Sequence, residues 1–115
     1  MITYWHNPRC SKSRAGLTFF DERGVALTVR KYLEDSPGIE ELKAVQSALG
    51  VAPLEMMRRK DQIFKDLGLG PNSDPEALFQ AMVDHPILIE RPIAIHGDKA
   101  VIGRPTEAFE TLLDC

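Results

Sequence analysis

The sequence predicts an α/β fold: a four-stranded mixed sheet in the order βαβ…ββα, with a helical insert between its two halves. Three observations carry this. A strand, a helix and a second strand follow one another within about the first thirty residues, the span of a right-handed βαβ unit. A run of capped and glycine-stopped helical segments occupies the middle. A short apolar hairpin and a last helix close the chain. At 115 residues the chain is read as a single domain, 1–115, with the insert at about 36–84.

The elements follow in order. Ile2 to Trp5 is apolar and β-prone, and Asn7-Pro8 ends it. From about Ser11 to Arg23 the spacing is helical, with Leu17 and Phe20 on one face, and Gly24 stops it. Val25 to Tyr32 reads as the second strand, with Leu27 and Val29 alternating against Thr28 and Arg30. Ser36-Pro37 is read as a helix start, with Ile39, Leu42, Val45 and Leu49 at helical spacing and Gly50 as the stop. Pro53 opens a short helical run through Met56, Met57 and Arg58, and Ile63, Phe64 and Leu67 form another that ends at Gly68. Ser73-Asp74-Pro75-Glu76 joins a cap, a proline and an acidic first turn, and His85-Pro86 ends that helix. Pro92-Ile93-Ala94-Ile95 and Ala100-Val101-Ile102 flank a tight turn at His96-Gly97-Asp98-Lys99. Gly103-Arg104-Pro105 introduces the last helix, with Phe109, Leu112 and Leu113 on its buried side. Such a sheet, packed with helices, is the thioredoxin-like arrangement.

Composition narrows the function. Hydrophobic residues at 43% and charged residues at 27% are an ordinary globular balance, which argues against disorder. A net charge of -3 gives no basic footprint for nucleic acid. No apolar run is long enough to span a membrane, and the first residues lack signal-peptide character, so the expected location is cytoplasmic and no membrane partner is expected. Two cysteines, Cys10 and Cys115, are too few for a disulfide framework. His6, His85 and His96 show no ligand spacing, so no metal is expected.

Cys10 is the residue the pattern singles out. It falls where a strand has ended and a helix begins, among free helical N–H groups and the positive end of the dipole. Both favour a thiolate. Arg9, Lys12 and Arg14 add positive charge, and Ser13 places a hydroxyl nearby. The loop from His6 through Asn7 to Arg14 therefore reads as an anion-binding turn with a nucleophile at its centre. A packed core cysteine fits this polar, basic setting poorly. His6 has three roles open to it: a general base, a group that tunes the thiolate, or a hydrogen-bonding partner of the loop. Cys115, at the terminus, would matter only as a resolving thiol close to Cys10. Two Arg-Pro pairs, Arg91-Pro92 and Arg104-Pro105, stand at the ends of the hairpin strands, and arginine's planar fork suits oxyanions. An X-Pro bond there is a candidate cis peptide.

The run His6-Asn7-Pro8-Arg9-Cys10-Ser11-Lys12-Ser13-Arg14 resembles the active-site loop of the glutaredoxin-linked, ArsC-type arsenate reductases. Collinear matches follow at Tyr32-Leu33-Glu34, Met57-Arg58-Arg59-Lys60, Leu67-Gly68-Leu69, His85 to Ile93 and Gly103-Arg104-Pro105, so the resemblance covers essentially the whole chain. It is closest to the short branch of that family. The resemblance implies that the Cys10 thiolate attacks arsenate to form a covalent thiol–arsenic adduct. It implies that Arg58, Arg91 and Arg104 bind the oxyanion, with His6, Asn7, Ser13 and Arg14 in support. Arg58 is preferred to its neighbour Arg59 by the spacing back from Leu67-Gly68-Leu69. Glutathione would be the co-substrate, glutaredoxin the protein partner, and no cofactor would be bound; a monomer is expected. Two other activities share these features. One is a thiol-transferase acting on glutathione mixed disulfides. The other is the role of Spx-like relatives, regulators that bind RNA polymerase and usually carry a C-x-x-C switch; here the second position of that switch is Ser13.

Overall fold

The computed structural model describes residues 2–113. It resolves into two compact units, one formed by Met1–Asp35 with Arg91–Cys115 and the other by Ser36–Glu90.

The first unit holds the sheet. β1 (Ile2–Trp5), β2 (Leu27–Arg30), β3 (Ile93–His96) and β4 (Lys99–Ile102) lie in the order β2-β1-β3-β4. β1 runs parallel to β2, with Ile2 opposite Leu27, and antiparallel to β3, which pairs with β4. The parallel pair is joined by α1 (Ser11–Glu22), as a crossover requires. The hairpin turns through Gly97 and Asp98, and Gly97 has a φ of 63°, a backbone state that costs glycine nothing. The mixed four-stranded α/β arrangement is the one the sequence predicts.

Its core gathers Ile2, Tyr4, Phe19, Phe20, Ala94, Phe109 and Leu112, with Leu17, Val25, Leu27, Val101 and Leu113 packed around them. Phe20 and Phe109 have ring centroids 5.0 Å apart, and Tyr4 meets each edge-on. Aromatic clusters of this kind add to what buried area alone supplies. The closing helix is a 3₁₀ turn (Thr106–Phe109) that continues into α5 (Glu110–Leu113).

The second unit carries α2 (Ile39–Leu49), a 3₁₀ turn at Pro53–Met56, α3 (Gln62–Asp66), α4 (Pro75–Asp84) and a second 3₁₀ turn at Pro86–Leu88. Asp61 and Asp74 are the N-caps of α3 and α4, accepting the N–H groups of Ile63 and Glu76 at 2.9 Å each. A bridge between Met57 and Ile89 ties the segment after the first 3₁₀ turn to the end of the unit, with Arg58 N donating to Leu88 O at 2.7 Å and Glu90 N to Met56 O at 2.8 Å.

Local details differ from the sequence reading. β2 is shorter than 25–32, and Val29 is 47% exposed rather than alternating inward. β2 is an edge strand: Leu27 reaches the core cluster, while Val29, one pleat farther on, does not. Ser36 does not cap α2; the helix starts two residues past Pro37, with Gly38 at the N-cap and Glu40 and Glu41 in the first turn, where they suit the dipole. The run opened by Pro53 ends at Met56, because Met57 takes an extended backbone and pairs with Ile89 instead, leaving Arg58 outside the helical run.

Candidate active site

The site is built at the seam between β1 and α1. His6 continues β1, its N–H donating to Arg30 O at 2.8 Å. Asn7 then folds the chain back. Its side-chain oxygen accepts the Arg9 N–H at 3.0 Å and its carbonyl accepts the Cys10 N–H at 3.0 Å. This is the local turn that asparagine side chains favour. Arg14, one turn into the helix, donates from Nη1 to Pro8 O at 2.8 Å and so closes the loop from the far side. The result places Cys10 at the N-cap of α1, with φ -97° and ψ 123°, and its carbonyl begins the helical ladder by accepting from Arg14 N at 3.0 Å.

Ser13 is completely buried. Its hydroxyl accepts from Asn7 N at 3.0 Å and lies 2.7 Å from His6 Nδ1. The hydroxyl thus serves the loop, and the group Ser13 turns to the sulfur is its N–H.

The partly exposed Cys10 is a free thiol. Burial alone would raise its pKa. The N–H of Ser13, the guanidinium of Arg91, the N–H of Lys12 and the positive charge of Arg91 together outweigh burial and hold the thiol below its ordinary value. The effect is reciprocal: burial works against the charge on Arg91, while Cys10, by hydrogen bonding, and Tyr32, by its charge interaction, sustain it. His6 is pushed below its usual value by burial, then by the charges of Lys31 and Arg14, which makes the neutral ring its favoured form.

Arg91 and Arg104 come together where β3 begins and β4 ends, beside the end of β1. Arg104 Nε donates to the Arg91 carbonyl at 2.7 Å, and Gly103 N donates to Pro92 O at 2.9 Å. Both the Arg91–Pro92 and Arg104–Pro105 bonds are cis. Arg58 belongs to the second unit, where Nη1 stands 3.5 Å from Asp61 Oδ2. Its neighbour Arg59 is exposed. Cys115 lies outside the described residues.

Sequence reasoning gave no part to Tyr32, which is fully buried, stacks on Trp5 with centroids 6.2 Å apart and helps to sustain the charge of Arg91. Its place in the run Tyr32-Leu33-Glu34 was the available signal. A cleft of about 330 Å³ beside the loop is lined by His6, Asn7, Pro8, Arg9, Lys31, Leu33 and Glu34. Among the described residues, no three His, Cys, Asp or Glu side chains converge as a metal site would need, and no helix is long and apolar enough to cross a membrane.

This architecture has close counterparts. An arsenate reductase of Neisseria meningitidis serogroup A is 51% identical over 114 residues, covering 97% of this chain and 97% of that protein. An arsenate reductase of Haemophilus influenzae is 40% identical over 114 residues, covering 97% and 98%. The solved structure of an arsenate reductase from Vibrio cholerae matches with a TM-score of 0.90 at 44% identity, over 95% of each chain. The model of the ArsC family matches residues 5–112, and on that span, with these identities, the chain belongs to the ArsC family.

Proposed function

We propose that this protein is an arsenate reductase that uses Cys10 as its nucleophile and takes its electrons from external thiols. The observation that carries the reading is the placement of Cys10 at the N-cap of α1, where the helix N–H groups and the Arg91 guanidinium favour its thiolate. A thiolate there is stabilised by N–H groups and by a cation that also suits an oxyanion. The names of the relatives supply the substrate class.

The chemistry balances as follows. The Cys10 thiolate attacks arsenic, an S–As bond forms, and one oxygen leaves as water once protonated. Arsenic(V) must then gain two electrons to become arsenite. Two external thiols supply them by joining in a disulfide, and water then cleaves the S–As(III) bond to free arsenite and the Cys10 thiol, so that overall arsenic acid and two thiols give arsenous acid, a disulfide and water. The helix start carries Cys10 with Ser13 in the place of a second loop cysteine, so the reducing thiols come from outside. Glutathione and then glutaredoxin fill that role, with no bound cofactor. Arg91 and Arg104 hold the oxyanion, with Arg58 as the third cation. His6, Asn7, Ser13 and Arg14 keep the loop in place.

The test of the donor is arsenate-dependent NADPH oxidation with glutathione, glutaredoxin and glutathione reductase, beside a thioredoxin and thioredoxin reductase arm. Turnover in the first arm alone is expected. Turnover only with thioredoxin would overturn the donor assignment and leave the nucleophile standing.

A further inference from the structure

Tyr4 stands in the middle of β1 with no exposed surface, inside an aromatic cluster with Phe20 and Phe109 at 6.1 and 5.9 Å. A phenol buried so deeply needs a partner. It finds one outside the sheet: its hydroxyl donates to the Ser13 carbonyl at 2.6 Å. That carbonyl lies in the first turn of α1, where its other lone pair serves the helical ladder. The approach depends on Gly16. A Cβ at that position would overlap the Tyr4 hydroxyl, so the bare α-carbon is what lets the phenol reach the helix.

Ser13 thus has its polar groups committed in three directions. The carbonyl is held by Tyr4, the hydroxyl by Asn7 N–H and His6, and the N–H faces the Cys10 sulfur. We infer that Tyr4 is a positioning residue for Cys10: by gripping the Ser13 carbonyl from the core, it fixes the turn whose N–H groups point at the sulfur. The inference rests on reading Cys10 as the reacting thiolate. The groups that bear on Cys10 are the Arg91 guanidinium from the start of β3, the N–H groups of Lys12 and Ser13, and Tyr4 itself. Behind Ser13 stands His6, near the charges of Lys31 and Arg14. Burial raises the Tyr4 pKa well above its ordinary value, so the phenol stays neutral while the thiol titrates and acts through position alone.

Tyr4→Phe keeps every ring contact and removes the grip. The experiment is the pH dependence of alkylation by iodoacetamide, read at the Cys10 peptide by mass spectrometry so that Cys115 does not contribute. The thermal midpoint is recorded alongside. In Tyr4→Phe the thiolate should titrate at higher pH, and alkylation at a pH below the wild-type midpoint should fall about two- to tenfold, the range set by one net hydrogen bond. The high-pH plateau should be unchanged. Gly16→Ala, which drives the hydroxyl away while leaving Tyr4 in the sequence, should move the curve in the same direction. A wild-type curve in Tyr4→Phe, with only the melting midpoint lowered, would overturn the inference and leave Tyr4 as a core residue. Wild-type protein titrating like an ordinary thiol would instead remove the premise that Cys10 is activated at all.

Discussion

Replacing Arg91 by glutamine should cost Cys10 part of its activation. The guanidinium contributes to the thiolate twice, as a hydrogen-bond donor and as a charge, whereas glutamine keeps bulk and some donor capacity but no charge. A hydrogen bond to a charged group is worth about 1.5–3 kcal/mol, which is about ten- to hundredfold in an ionisation equilibrium. Cys10 is partly exposed, and solvent screening moves the effect to the lower end of that range, about tenfold. The N–H groups of Lys12 and Ser13 remain in the variant, so the thiol should stay more acidic than an unfolded one. The measurement is the ultraviolet absorbance of the thiolate as pH is raised, with Cys10→Ser as the blank. Arg91→Gln should shift the titration to higher pH and lower the thiol's ionisation constant about tenfold. A curve superimposable on wild type would show that the helix start alone activates Cys10 and that Arg91 is no part of its electrostatics.

Further outcomes follow from the same geometry. Because the folded state holds the Cys10 pKa down, ionised Cys10 stabilises the protein fully above the unfolded thiol's pKa, and this is lost as pH falls through the folded value. Wild type should therefore gain stability over Cys10→Ser as pH rises through that window, and denaturant titrations with a pH-independent difference would contradict it. Gly103→Ala would drive a Cβ into the buried ring of Phe109; overpacking of that kind costs about 1–3 kcal/mol, visible as a lowered thermal midpoint. Asp74→Ala removes the cap of α4 and should cost about 1 kcal/mol in denaturant unfolding while leaving Cys10 alkylation unchanged.

Much of this was written in short-range signals. The strand ending at Trp5, the Asn7-Pro8 break and the basic run around Cys10 sit within a dozen residues, so the helix start and its thiol could be placed from the sequence. The Gly97-Asp98 turn fixed the hairpin for the same reason. What escaped depends on residues far apart in the chain. Val29 is apolar and strand-like, yet its exposure follows from β2 being an edge strand. Arg58 leaves the helical run because Met57 pairs with Ile89, some thirty residues on. That Arg104 grips the Arg91 carbonyl, and that Tyr32 meets Arg91, are tertiary contacts with no local pattern. Tyr4 left one trace: Gly16 in the interior of an otherwise regular helix, a position where glycine costs stability unless something must come close.

The most direct test of the account is the arsenite formed when the protein is incubated with arsenate, glutathione and glutaredoxin, measured by arsenic speciation in wild type and in Cys10→Ser. The account predicts sustained arsenite release by wild type and only the uncatalysed background in the variant. Equal arsenite from both, or none from folded wild type whose Cys10 is demonstrably ionised, would contradict it.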